Sequence, residues 1–581
     1  MTDNDDSRFN EDANDNACGD RPSRRSFLVG GAALGAATGI DSGSAALAQD
    51  RSPRGTQMPS SGEDLVLYNG KVRTMDDRDS VVSAARIRGN RFAEVGSFDA
   101  LGPNAINLNG RTVIPGLIES CDHIVSFGNY RPGYHTVLEN ATSIAEIQAI
   151  LAMRRAEVPP GEWITALGAW NAFTMFAERR LPTRAELDAA VPDRPVLLYQ
   201  TTIGPAVTNT AGMAWFAKAS MRVTIGEDGN IAAGSPSTTP LYLLRLTQTR
   251  DQRRRTHLEA WAYSASVGLT AHIDQEGIPA APSPRYELGN SISSSPRLDP
   301  TQTLYHFDHF RHWDTWWELH REGKTFIRLQ MDFVVDELPV LHERIKNQLP
   351  FFGDDMMSSR AIYYTPDGFV RHPTWMEAQW LMARAGWRSR SNAVDQQGME
   401  IAISAFERIN KEVDITSLRW TLHRMSGATS EQLQRLKAVG GNVNVCARFF
   451  PLAATPTLPV APFRTVVDSG IPAGIHMDGG HIATLNPWFA VYYAVTGRNA
   501  LGEMVNPGQQ ITRQEALHLF TRGNAYQMNM ETKLGSIERG KLADLVVLDN
   551  DYMQVGDEGL KKIKSVLTVV DGKIIHNKLS T

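Results

Sequence analysis

Residues 420–445 read WTLHRMSGATSEQLQRLKAVGGNVNV. An apolar run at 420–423 is followed by a polar link, a helical stretch at 430–438 (SEQLQRLKA) and a second apolar run at 443–445. The helical stretch repeats its apolar positions at 3.6-residue spacing, while the short apolar runs on either side are those of buried strands. The same rhythm extends outward. Further apolar runs lie at 112–117, 196–198, 269–273, 326–329 and 471–476, and a second periodic helix at 399–411 reads MEIAISAFERINK. Strand–helix alternation over about 400 residues predicts an α/β fold, a (β/α)8 TIM-like barrel, with its site at the C-terminal ends of the strands.

The two ends of the chain read differently. Leu65-Val66-Leu67-Tyr68, the turn Asn69-Gly70 and Lys71-Val72-Arg73-Thr74 form a hairpin pattern, and 81–95 repeats it around Gly89-Asn90. Near the C-terminus, 545–548 (LVVL), 566–570 (VLTVV), the turn Asp571-Gly572 and 573–576 (KIIH) mirror the theme. Alternation plus turn chemistry predicts one small β-sandwich built from both ends, 63–112 and 527–581. The barrel then covers 113–526. Its Ser/Pro-rich insertion at 278–301 (IPAAPSPRYELGNSISSSPRLDPT) reads equally as a lid or a surface loop.

Composition narrows the class. The 581 residues are 42% hydrophobic and 21% charged, with a formal net charge of −5, as in a globular enzyme. No basic stripe is present, which argues against a nucleic-acid partner. The N-terminus carries SRRSFL at 23–28, a Gly/Ala-rich apolar stretch over 29–40, and Ala46-Leu47-Ala48 as a cleavage pattern. Residues 1–48 therefore read as a twin-arginine signal peptide and 49–62 as a linker, with the export machinery as a partner and a periplasmic or secreted destination. No segment reaches the length of a membrane span, so the mature form is expected to have none. Of the cysteines Cys18, Cys121 and Cys446, the first falls in the signal, leaving too few for a disulfide framework. A homo-oligomer is compatible with all of this.

Val113-Ile114-Pro115-Gly116-Leu117-Ile118-Glu119-Ser120 resembles the first barrel strand of the amidohydrolase superfamily, in its YtcJ-like (amidohydrolase 3) branch. So do 181–188 (LPTRAELD) running into Asp193-Arg194-Pro195-Val196, and 533–549 (KLGSIERGKLADLVVLD). The resemblance spans roughly 63–578. It implies a hydrolase of small organic substrates and a metal site made of His-x-His on the first strand, a bridging Lys or Glu on the fourth, single His residues on the fifth and sixth, and Asp on the eighth. Such donors hold divalent ions that acidify a bound water.

At those positions this sequence has Cys121-Asp122-His123, then Tyr363, Asn392, His423 and Asp478. A tyrosine cannot be carboxylated and an asparagine is a poor ligand, so a binuclear centre is not expected. His123, His423, Asp478 and Cys121 are the donors for at most one ion, such as zinc; with no metal they serve as acid, base and hydrogen-bonding groups. Asp478 is the expected general acid/base, with His123, Tyr363, His423, Asn392 and Cys121 as further catalytic candidates. His476 shares the face of Asp478 by period-two alternation; it joins Asp122, His272 and Asp274, the last two assigned to the third strand, as substrate-binding candidates. Only one of Tyr363 and Tyr364 can face inward. His481 reads as a loop residue, and Trp313, Trp316 and Trp317 as helix-face packing. The branch's frequent His after 196–198 is replaced by Gly204 or Pro205. The leading reading is C–N hydrolysis of a small-molecule substrate. A metal-independent lyase, hydratase or isomerase using Asp478, His123 and Tyr363 stays open, as does an inactive ligand-binding barrel.

Overall fold

The computed structural model describes residues 64–98, 102–201, 204–275, 313–335, 337–347, 349–366, 369–455, 461–480 and 483–579. The expected signal peptide, linker, 278–301 insertion and His481 lie outside them. Eight parallel strands make the barrel sheet: β1 (Leu117–Asp122), β2 (Leu269–Asp274), β3 (Arg328–Val335), β4 (Met357–Tyr364), β5 (Ser389–Asn392), β6 (Thr421–Met425), β7 (Asn442–Cys446) and β8 (Ala473–His476). They pair in that order. The seam between β8 and β1 is bridged by side chains and loops. Ser120 Oγ donates to the Ile475 carbonyl at 2.9 Å, and Met477 N donates to Glu119 Oε1 at 3.0 Å. Beyond the strands, His123 N donates to the Gly479 carbonyl at 3.2 Å.

Every residue of β1 and β2 is buried, as expected of parallel strands covered on both faces. The helices around them begin where the sequence offers a side-chain acceptor to unpaired amides. Thr429 forms a capping box with Gln432 ahead of Ser430–Ala438, Thr249 forms one with Gln252 ahead of Arg250–Val267, and Asp395 caps Gln396–Asn410. Trp261, Trp316, Trp375, Trp420 and Trp488 fill the main core between barrel and helices. No helix among the described residues is long and apolar enough to cross a membrane.

Strands from both chain ends share a second sheet. Leu545–Leu548 pairs antiparallel with Thr112–Pro115 and, on its other side, with Ser565–Val570. Beside it lies a four-stranded sheet of Arg91–Gly96, Ala84–Arg88, Leu65–Tyr68 and Asn104–Asn107. Leu67, Ile87, Phe92, Val113, Val547 and Val569 share one apolar core between the two sheets.

Two expectations need correction. The run 112–117 is not one barrel strand: Thr112–Pro115 belongs to the sheet of the chain ends, and the barrel starts at Leu117. Gly116 sits at the break, where a Cβ would meet Thr270 Oγ1 at 2.1 Å, so the crossing from one sheet to the other tolerates no side chain. The run at 196–198 is not a barrel strand either. Val196–Tyr199 lies in a separate five-stranded sheet with Tyr134–His135, Ile164–Leu167, Ala206–Thr208 and Asn230–Ile231. An apolar run fits any parallel sheet buried on both faces, and only its partners reveal which. His272 and Asp274 therefore sit on the second barrel strand rather than the third.

Candidate active site

The C-terminal ends of β1, β6 and β8 converge on a charged group. Asp478, two residues beyond β8 and fully buried, meets His123 Nε2 at 2.9 Å through Oδ1. Arg424 donates from Nη2 to the same oxygen and lies 3.0 Å from His123 Nε2. Arg448 stands 3.6 Å from Asp478 Oδ2. Burial alone would push the Asp478 carboxyl up. Arg424, with His123 and Arg448, outweighs it and holds the carboxyl well below the usual range, so it is an anion at neutral pH.

Backbone geometry explains how Arg424 reaches in. Successive strand residues normally point to opposite faces, and His423 already faces the interior. The β6–β7 register breaks between His423 and Met425, and Arg424 between them has a φ of 57°. This bulge turns two consecutive side chains into the barrel. Asp478 is also in the left-handed region, at a φ of 63°. Such conformations in non-glycine residues persist where surrounding contacts hold them, here the Arg424–Asp478 ion pair.

One layer deeper lie Cys121, His423 and His476, all buried, with their ligand-capable atoms within 4.8 Å of one another. Cys121 Sγ reaches Gln275 Oε1 at 3.0 Å, whereas neither ring nitrogen of His423 has a hydrogen-bond partner. Burial holds His423 well below the ordinary histidine range and His476 down to about 3, and pushes the Cys121 thiol well up. Beneath them, buried Arg390 pairs with Asp332 at 2.6 Å.

Tyr363 faces inward, its ring 5.1 Å from that of His423, and Asn392 Nδ2 donates to its hydroxyl. Burial pushes this phenol up to about 12. Tyr364 takes the other face, its hydroxyl 2.8 Å from Thr374 Oγ1. The candidates Asp122, His272 and Asp274 form a different group. Asp122 bonds to His272 Nδ1, while Asp274 accepts from Val125 N at 2.9 Å and Trp313 Nε1 at 3.2 Å. One oxygen of Asp274 thus braces the loop after β1, and the other holds Trp313 at the head of the Asp314–Arg321 helix. Trp316 and Trp317 pack as expected, against Trp261 and Phe352 respectively.

Sequence reasoning missed Arg424, Arg448 and Gln275. The signal for Arg424 was a charged residue beside His423 in an apolar run, but alternation assigns it to the outer face unless a bulge is foreseen.

Behind the rim, Glu139 ties the first loop to the last, accepting from Leu485 N at 2.6 Å and Asn486 N at 2.8 Å and bonding to the Tyr263 hydroxyl. Burial raises its carboxyl to about 7. The folded state thus binds this proton more tightly than the unfolded one, whose carboxyl titrates near 4.3. The stability linked to it is full below about pH 4 and is lost as pH rises through about 7. Urea midpoints measured between those values will show a downward slope that Glu139→Gln flattens; an equal slope in the variant contradicts this.

Comparison with known proteins places the arrangement. A sequence model of the amidohydrolase family matches residues 104–576. The chain belongs to the amidohydrolase family. This amidohydrolase is 24% identical over 563 residues to the N-substituted formamide deformylase of Arthrobacter pascens, covering 89% of this chain and 98% of that one. It is 21% identical over 560 residues to the putative amidohydrolase YtcJ of Bacillus subtilis (strain 168), covering 88% and 99%, which puts it in the YtcJ-like branch. An uncharacterized metal-dependent hydrolase from Pyrococcus furiosus shares its fold, with a TM-score of 0.53 at 20% identity, covering 84% and 100%. The chain is thus an amidohydrolase-family hydrolase with a (β/α)8 barrel.

Proposed function

We propose that this amidohydrolase is an exported enzyme that cleaves the C–N bond of a small amide or N-substituted formamide at the mouth of its barrel. The observation that carries this reading is the Asp478–His123 hydrogen bond with the Arg424 guanidinium on the same carboxylate. A water attacking the carbonyl carbon gives its proton to the His123–Asp478 pair. The pair then returns the proton to the departing nitrogen, so amine and acid leave and the site is restored. Asp478 acts as the anionic half of that pair, because its carboxyl is held too low to serve as an acid alone. Arg424, partly open to solvent, supplies positive charge for the carbonyl oxygen as it becomes an oxyanion. The full-length likeness to a named N-substituted formamide deformylase supports the substrate class.

The two-ion centre implied by the family resemblance does not fit these donors. Tyr363 and Asn392 bond to each other on β4 and β5, and a guanidinium touches both His123 and Asp478. That same observation favours a second reading, a metal-independent lyase or hydratase in which Tyr363, a phenol that stays protonated, donates to a developing anion. A panel of formamides and short-chain amides separates the two: the hydrolase releases free amine from at least one, and the second reading forecasts none.

Export by the twin-arginine route belongs to the proposal. Arg24→Lys with Arg25→Lys is expected to leave folded protein in the cytoplasm, since a receptor reads the pair. Fractionation showing the double variant outside the cytoplasm at the usual level contradicts it.

A further inference from the structure

Cys121 precedes His123 by two residues on β1, and His476 precedes Asp478 by two at β8, so each lies one layer deeper on the same face. His423 precedes Arg424 on β6. The layer below the proton-transferring pair is thus made of a thiol and two imidazoles, with no carboxylate among them. Both ring nitrogens of His423 lack a hydrogen-bond partner there, and the His476 ring leans on the backbone of Cys121. A buried imidazole without partners is costly to keep, and two histidines side by side with a thiol point to a missing occupant.

We infer that Cys121, His423 and His476 hold a single transition-metal ion of the zinc type. Cys121 and His423 stand where the sequence already offers donors; His476 takes the place of Asp478 one layer down, and the set includes one soft donor and no carboxylate. One thiolate and two neutral imidazoles suit zinc or cobalt(II) and not magnesium or calcium, which prefer oxygen. Tetrahedral ligation at ~2.0–2.3 Å puts donor atoms about 3.4–3.7 Å apart. The observed spacing, within 4.8 Å, closes to that by small rotamer adjustments. Three protein donors leave one position open, the pattern of a catalytic ion.

The charges around the site permit it. Arg390 is balanced by Asp332, while Arg424 and Arg448 share the single Asp478 carboxylate, so a thiolate at Cys121 adds the negative charge that this group lacks. The Cys121 proton leaves when the ion enters, so uptake releases about one proton and strengthens with rising pH. The assignment does not depend on which bond the enzyme cleaves.

Equilibrium dialysis of the purified, chelator-stripped full chain against zinc and cobalt(II) tests it, with no turnover measured. One ion per chain is expected, and the cobalt(II) form is expected to show a thiolate-to-metal charge-transfer band in the near ultraviolet. Cys121→Ser removes the band, and His476→Asn weakens binding at least tenfold. Asp478→Asn keeps both ion and band, because the carboxylate is not a ligand. No specific uptake by folded wild-type protein, two ions per chain, a cobalt(II) form without the band, or loss of the ion in Asp478→Asn but not in His476→Asn would each overturn the site. If Cys121→Ser fails to fold, the wild-type cobalt spectrum and His476→Asn decide the question. Amine release is assayed separately, so failure of the hydrolytic reading and failure of this site are told apart.

Discussion

Asp478→Asn is expected to lower kcat by ~10²–10⁴-fold, the usual contribution of a general acid–base group. Asparagine keeps the size of the side chain and a hydrogen bond to His123, but it cannot carry the negative charge or share a proton. Two arginines, Arg424 and Arg448, then lose their common counter-ion. Breaking a fully buried ion pair costs about 3–5 kcal/mol. Here both arginine side chains are partly exposed, at 15% and 24%, so water takes up part of that penalty. The variant should therefore fold, and kcat is measured at a temperature where its circular dichroism matches wild type. Near-native turnover in folded Asp478→Asn would remove the acid–base role from the rim of β8.

The second large effect is on stability. Arg328, at the start of β3, is fully buried and forms a two-pronged bond to Asp544, from Nε at 2.7 Å and Nη2 at 2.8 Å. Asp544 stands just before Leu545–Leu548, so this one pair fastens the barrel to the sheet of the chain ends. Burial works against the guanidinium, but Asp544 and Asp571 more than compensate and raise its affinity for the proton. Asp544→Ala leaves the charge buried with Asp571 at 3.2 Å, the Asp355 carbonyl at 2.7 Å and the weak acceptor Met356 Sδ at 3.3 Å. A loss of about 3–5 kcal/mol is expected, seen as a lower urea midpoint. Arg328→Met combined with Asp544→Leu is expected to recover much of it, because no charge is then stranded. A wild-type midpoint for Asp544→Ala would mean the pair contributes little.

The barrel itself was legible because strand and helix periods differ, and apolar runs at 269–273, 326–329, 420–423, 443–445 and 471–476 each fall within or against a barrel strand. The run at 196–198 misled for the same reason: parallel strands buried on both faces look alike, and nothing local tells which sheet they join. In the site, strand alternation correctly allowed only one inward tyrosine, and the structure turns Tyr363 in and Tyr364 out. Alternation failed at Arg424, where one left-handed residue adds an extra inward side chain. His476 was read as a companion of Asp478 on one face. Its approach to Cys121 and His423 depends on barrel closure, which brings β8 beside β1 and cannot be read along the chain.

Hydrolysis of a C–N bond at the His123–Asp478 rim leaves an isotopic signature. It is tested most directly by turnover in ¹⁸O-labelled water, followed by mass spectrometry of the acid released from an N-substituted formamide or short-chain amide. One labelled oxygen per acid formed, one free amine beside it, and loss of both products in Asp478→Asn are expected. Unlabelled product, or labelled acid formed at an undiminished rate by folded Asp478→Asn, would contradict it.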